Sequence, residues 1–100
     1  MKLGILVNTD KNAKEIIGLT KAATSKGHQV VIFMMDKGVR LLRKYSVANL
    51  FKIPGVIMSF CQYSADIIGV STDKIAKEIT SGSQYDNAAM NKEAHKIIIL

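Results

Sequence analysis

Cysteine is nearly absent from this chain: Cys61 is the only one in 100 residues. A single thiol can form neither an internal disulfide nor a CxxC pair, so a disulfide scaffold and dithiol redox chemistry are both excluded. Histidine is scarce too. His28 follows a glycine and His95 precedes an apolar run, and two isolated imidazoles with one thiol do not make a structural zinc site. No metal is expected. There is no GxxxxGK or GxGxxG run to cradle phosphate and no nucleophile elbow for Ser-His-Asp catalysis. The arginine with which a cysteine phosphatase grips phosphate would fall at Ile67. No apolar run approaches the roughly 18 residues of a membrane span. The opening stretch Met1–Val7 is too short for a secretory signal and lacks a cleavage site. A cytoplasmic protein with no membrane partner is expected.

Acidic residues are also few, eight against fourteen Lys and Arg, for a net charge of +6. The imbalance is local. Residues 1–60 carry net +7 and residues 61–100 net −1. Lys37, Arg40, Arg43, Lys44 and Lys52 are the densest group, with no acid among them. Such a run reads either as an anion- or acid-seeking surface or, more plainly, as a solvated helix face. Without RNA-binding aromatics or zinc-finger spacing, nucleic acid is not an expected partner.

What the chain does have is alternation. Apolar runs at 2–8, 29–35, 56–60 and 96–100 read as strands. Between them, 11–26 shows a helical stripe of Ala13, Ile16, Ile17, Thr20 and Ala23, with Thr9 or Asp10 as cap and Gly27 as the stop. Residues 39–50, 72–79 and 84–94 also read as helices, as does a short segment from Cys61 to Gly69. Ser81-Gly82-Ser83 reads as a turn beside a short edge strand. The strands show little two-residue alternation, as expected of parallel strands buried on both faces. One domain over residues 1–100 is expected: a three-layer α/β sandwich around a mostly parallel five-stranded sheet, with helices on both faces. A flavodoxin-like strand order would put the first and third strands side by side, and ligands bind where strand order reverses. That places Cys61 near Asn8 and Thr9, with Asp36 and Gly38 contributing from the loop after the second strand.

Cys61 follows the run Gly55–Phe60 and opens a helix. A thiol at such a junction sits over free backbone N–H groups, which favour thiolate. Ser64 occupies the position of a second cysteine in a thioredoxin-like pair, where its hydroxyl can bond a sulfur anion. Asp66 opposes this, since a nearby carboxylate raises a thiol pKa. Single-thiol chemistry remains: persulfide or mixed-disulfide formation without a cofactor. The alternative is an inert, packed cysteine.

The strand-turn stretch Gln29–Phe33 with Asp36-Lys37-Gly38-Val39 resembles the DsrE/DsrF-like (TusD- and YchN-type) family of small sulfur-relay proteins. So do Val56–Phe60 leading into Cys61-Gln62-Tyr63-Ser64-Ala65-Asp66-Ile67-Ile68-Gly69, and the closing segment from Gln84-Tyr85-Asp86 to His95–Leu100. The resemblance covers nearly the whole chain. It implies a persulfide-carrying relay protein or sulfurtransferase subunit in which Cys61 receives sulfur. Backbone N–H groups of Gln62 and Tyr63, with Ser64, would support the sulfur anion. It further implies homo-oligomers, trimers or hexamers, and donor or acceptor proteins as partners. The other function open to the sequence is a non-catalytic oligomeric module that binds a small ligand or a protein, prompted by five methionines, Met34, Met35, Met58 and Met90 among them.

Overall fold

A computed structural model describes residues 1–100. Five strands form one all-parallel sheet: β1 (Lys2–Val7), β2 (Gln29–Met34), β3 (Val56–Cys61), β4 (Thr80–Gly82) and β5 (Lys96–Ile99). Their order is β4-β3-β2-β1-β5. This differs from the flavodoxin-like order. β1 lies between β2 and β5, whereas β3 lies between β2 and β4. Each of the first three crossovers steps outward to the next strand. Only the last, through helix α4 (Gln84–Glu93), reverses and crosses back to the far side of β1. Strand order reverses between β1 and β5, two strands away from β3.

The two sheet faces are filled unequally. Side chains alternate along a strand, so Leu3, Ile5 and Val7 share one face with Val30, Ile32, Met34, Val56, Met58 and Phe60. This face carries the main core. Helix α1 (Ala13–Ser25) covers it with Ile16, and Val39, Leu41, Leu42, Val47 and Leu50 complete it. The other face is smaller. There Phe33, Cys61 and Met90 form a buried cluster under α4, joined by Leu6, Val31, Met35 and Ile97. Helices therefore lie on both faces, as the sequence predicts. Away from α4 the second face is open, and Ile57 and Ile99 are exposed.

Three local expectations change. Residues 39–50 do not form one α-helix. The chain winds as a 3₁₀ segment over Asp36–Arg43, then α2 (Tyr45–Ala48), then a second 3₁₀ turn over Asn49–Lys52. The buried positions here do not follow one 3.6-residue stripe, and an extended Lys44 (φ −92°, ψ 112°) separates the pieces. Residues 72–79 hold isolated turns, with Ile75 N–H donating to Thr72 and Ile79 N–H to Ala76. So short a helix is marginal by itself, and the chain must already be extended at Thr80 to pair with Ser59. Finally, neither Thr9 nor Asp10 caps α1. The cap position is Asn12, without a side-chain bond to the helix. Thr9 Oγ1 donates to the Leu100 carbonyl at 2.9 Å, and Asp10 pairs with Arg40 at 3.3 Å.

Candidate thiol site

Cys61 ends β3 and stands at the cap position of helix α3 (Gln62–Ile68), in extended conformation. The strand's alternation aims its side chain at the second face, beside Phe33 and Met90, where it is 4 % exposed. As the cap residue of α3 it faces the N–H groups of that helix's first turn. Burial pushes the thiol pKa up, but the hydroxyl and N–H of Ser64, the side-chain amide of Gln84 and the N–H of Tyr63 outweigh it and leave the thiol below its ordinary value.

Ser64 is held for this task. It is buried, and its Oγ accepts the Asp36 N–H at 3.0 Å. With that lone pair engaged, the hydroxyl proton is available to the sulfur. Asp36 itself adopts a left-handed φ of 49°, a conformation uncommon for a residue with a side chain. The strain is supported next door. A Cβ on Gly38 would collide with the Val7 carbonyl, so only glycine lets the loop lie this close to the end of β1.

In front of the sulfur lies a cavity of about 520 Å³. Its walls come from the carboxyl ends of β2, β3 and β4: Met35 and Asp36, then Cys61 with Tyr63 and Ser64, then Ser83, Gln84 and Tyr85. Tyr63 and Tyr85 are largely exposed and flank the mouth. A second cavity of about 490 Å³, bounded by Arg43, Tyr45, Ser71 and Lys74, has no thiol in its lining. No group of three His, Cys, Asp or Glu stands close enough to hold a metal.

The structure thus brings together Cys61, Asp36, Tyr63 and Ser64. It does not bring in Asn8 or Thr9, which follow β1, a strand not paired with β3. Gly38 is buried support rather than lining. The Gln62 side chain turns away, its Nε2 donating to Asp66 at 2.8 Å and its Oε1 accepting from Ser81 at 2.8 Å, while its backbone N–H stays in the first turn of α3 behind Cys61. The same bond holds Asp66, which is not among the groups acting on Cys61. Sequence reasoning missed Met35, Ser83, Gln84 and Tyr85. Ser83-Gln84-Tyr85-Asp86 is a legible capping box, and it forms as such, with Ser83 N–H donating to Asp86 at 2.8 Å. Only the pairing of Cys61 with Gly82 shows that this helix start lies beside the thiol.

The fold and site together define an all-parallel α/β domain with one buried thiol at the carboxyl edge of its sheet, facing a cavity. The chain belongs to the DsrE/DsrF-like family, whose model matches residues 1–100. Its fold is similar to that of a protein of unknown function from Methanobacterium thermoautotrophicum (TM-score 0.80, 15 % identity, covering 99 % of this chain and 98 % of that one). It is also similar to the ychN protein of E. coli (TM-score 0.71, 16 % identity, covering 100 % of both). A conserved protein of unknown function from Bacteroides thetaiotaomicron matches at TM-score 0.63 and 18 % identity, over 99 % of this chain and 94 % of that one. At these identities the likeness is one of fold. No curated protein matches the chain significantly.

Proposed function

We propose that this protein is a persulfide carrier, a sulfur-relay or sulfurtransferase subunit in which Cys61 is the sulfur-bearing nucleophile. The carrying observation is the position of Cys61 at the start of α3, lining one cavity with Tyr63, Ser64 and Gln84, whose polar groups hold its pKa below the ordinary value. The Cys61 thiolate attacks the outer sulfur of a donor persulfide R–S–SH. The donor S–S bond breaks, R–S⁻ leaves, and Cys61 holds –S–SH. An acceptor thiolate then attacks that outer sulfur, and Cys61 leaves as thiolate. Electrons balance without a metal or organic cofactor. The donors that favour thiolate also favour Cys61 as the leaving group in the second step.

Other features support the setting. No helix is long and apolar enough to cross a membrane, and a free thiol of this kind suits a reducing, cytoplasmic environment. β5 is an edge strand, with Ile99 62 % exposed, and Ile57 is 61 % exposed on the same open face. Covering this face in a trimer or hexamer accounts for exposed apolar residues that a monomer leaves in water. Arg40 and Arg43 tie down Asp10 and the Gly69 carbonyl. Lys37 and Lys44 stay exposed and remain free to meet an acidic partner surface. The methionines give little support to a non-catalytic binding module, because Met34, Met58 and Met90 are core.

Intact mass after incubation with a low-molecular-weight persulfide tests the reading. Wild type gains about 32 Da, one sulfur atom, and Cys61→Ser gains nothing. No adduct on wild type, or the same adduct on the variant, ends the proposal.

A further inference from the structure

Helix α4 carries a chain of side-chain amides that runs toward the thiol. Asn91 Nδ2 donates to the Asn87 backbone carbonyl at 2.8 Å and lies 2.9 Å from Asn87 Oδ1. Asn87 Nδ2 donates to Gln84 Oε1 at 3.2 Å. Gln84 Nε2 donates to Met35 Sδ at 3.7 Å, and Gln84, Met35 and Cys61 line one cavity.

The orientation of the whole chain follows from its far end. A backbone carbonyl only accepts, so the Asn91 atom facing it must be the nitrogen. That nitrogen also faces the Asn87 side chain, which must therefore present oxygen to Asn91 and nitrogen to Gln84. Gln84 must in turn present its oxygen to Asn87, leaving only N–H groups for the sulfur side. Against a neutral thiol or thioether, an unconstrained glutamine has little preference between its two ends, so the chain sets the N–H₂ in place before any anion forms.

We propose that the Asn91–Asn87–Gln84 amide chain is an orientation lock that keeps the Gln84 N–H₂, now on Met35 Sδ, turned into the cavity it shares with Cys61, and that Asn87 is a positioning residue for an anionic sulfur in that cavity. The thioether of Met35 is a weak acceptor. When Cys61 carries a second sulfur, that outer anion is the better acceptor and takes the N–H from Met35. This last step rests on the reading of Cys61 as a sulfur carrier, whereas the lock itself does not.

The other ionisable groups around the sulfur leave the lock its role. Asp36, Tyr63 and Tyr85 share the cavity, Asp86 on α4 is bound to the Ser83 N–H, and Asp66 on α3 is bound to Gln62.

The test is the pH profile of Cys61 alkylation by iodoacetamide in wild type, Asn87→Leu, Asn87→Asp, Gln84→Leu and Asn91→Ala. Asn87→Leu removes the donor without adding charge. Asn87→Asp can only accept, so it turns the Gln84 carbonyl toward the sulfur. At neutral pH we expect alkylation to slow about threefold in Asn87→Leu and about tenfold in Asn87→Asp, the range of one ordinary hydrogen bond. Gln84→Leu falls between them, and Asn91→Ala shifts least. Alanine is the better helix former, so that variant keeps α4. Unchanged profiles in Asn87→Leu and Gln84→Leu overturn the lock. So does a shift in Asn87→Asp alone, since added charge would then explain it. A second readout is the persulfide, which should be retained less after desalting in Asn87→Asp than in wild type. If wild type takes up no sulfur but the profiles shift as stated, the carrier reading fails and the lock stands. If Cys61 loads sulfur but the profiles do not move, the reverse holds.

Discussion

Two regions of this molecule lie at the carboxyl edge of the same parallel sheet, and only one of them is built as a site. At the β1–β5 end, strand order reverses, which is where such sheets usually bind ligands. Yet its polar groups serve one another. Thr9 Oγ1 and Asn12 Nδ2 both donate to the Leu100 carbonyl, and Asp10 is paired with Arg40. At the β2–β3–β4 end no reversal occurs. There Ser64, Gln84 and Tyr63 direct donors at one sulfur, with a cavity of about 520 Å³ before it. The comparison teaches that a strand end becomes reactive through donors left for a ligand atom, and a reversal of strand order alone does not provide them.

Removing the nucleophile gives the largest effect on this contrast. Cys61→Ser should lose all sulfur loading by intact mass, while leaving the Thr9–Leu100 end unchanged in its amide exchange. Next comes Ser64→Ala, which deletes a buried hydroxyl donor and orphans the Asp36 N–H. Alkylation at neutral pH should slow about tenfold, and an unchanged rate would remove Ser64 from the account. Gly38→Ala tests what joins the two regions, since its new Cβ meets the Val7 carbonyl. Urea unfolding should show a loss of about 1–3 kcal/mol, the usual cost of overpacking. Thr9→Ala should cost about 1 kcal/mol, one hydrogen bond, with no change in Cys61 reactivity. A slower thiol in Thr9→Ala would contradict the separation of the two ends.

The pH dependence of stability draws the same line more finely. The Cys61 pKa is lower folded than unfolded, so between those two values the unfolded chain binds more protons. Stability owed to the thiolate is therefore lost as pH falls through the folded value and fully present above the ordinary thiol value of about 8.5. Relative to Cys61→Ser, wild type should gain stability as pH rises through that window. The gain should shrink in Ser64→Ala.

Much of the fold was legible because its signals are local. The apolar runs of β1, β2, β3 and β5 stand between glycines and polar loops. The α1 stripe reads at helical spacing, and the junction at Cys61 shows in the run Val56–Phe60 followed by Gln62-Tyr63-Ser64. The strand order was not legible, because which strand pairs with β1 depends on where each crossover lands, and no single segment encodes that. The misplacement of Asn8 and Thr9 followed directly. Residues 72–79 misled for a related reason, since their helical pattern gives way to the pairing of Thr80 with Ser59. Gln84 was hidden by distance along the chain. Its role exists only because β4 carries α4 to the side of Cys61.

If the polar groups at this edge of the sheet lower the Cys61 pKa, its alkylation rate as a function of pH shows it directly. The rate should follow a single titration with a midpoint below about 8.5, the value of an unperturbed thiol, and a higher midpoint in Ser64→Ala. A wild-type midpoint at or above the unperturbed value would show that burial prevails over the donors, and would contradict the account.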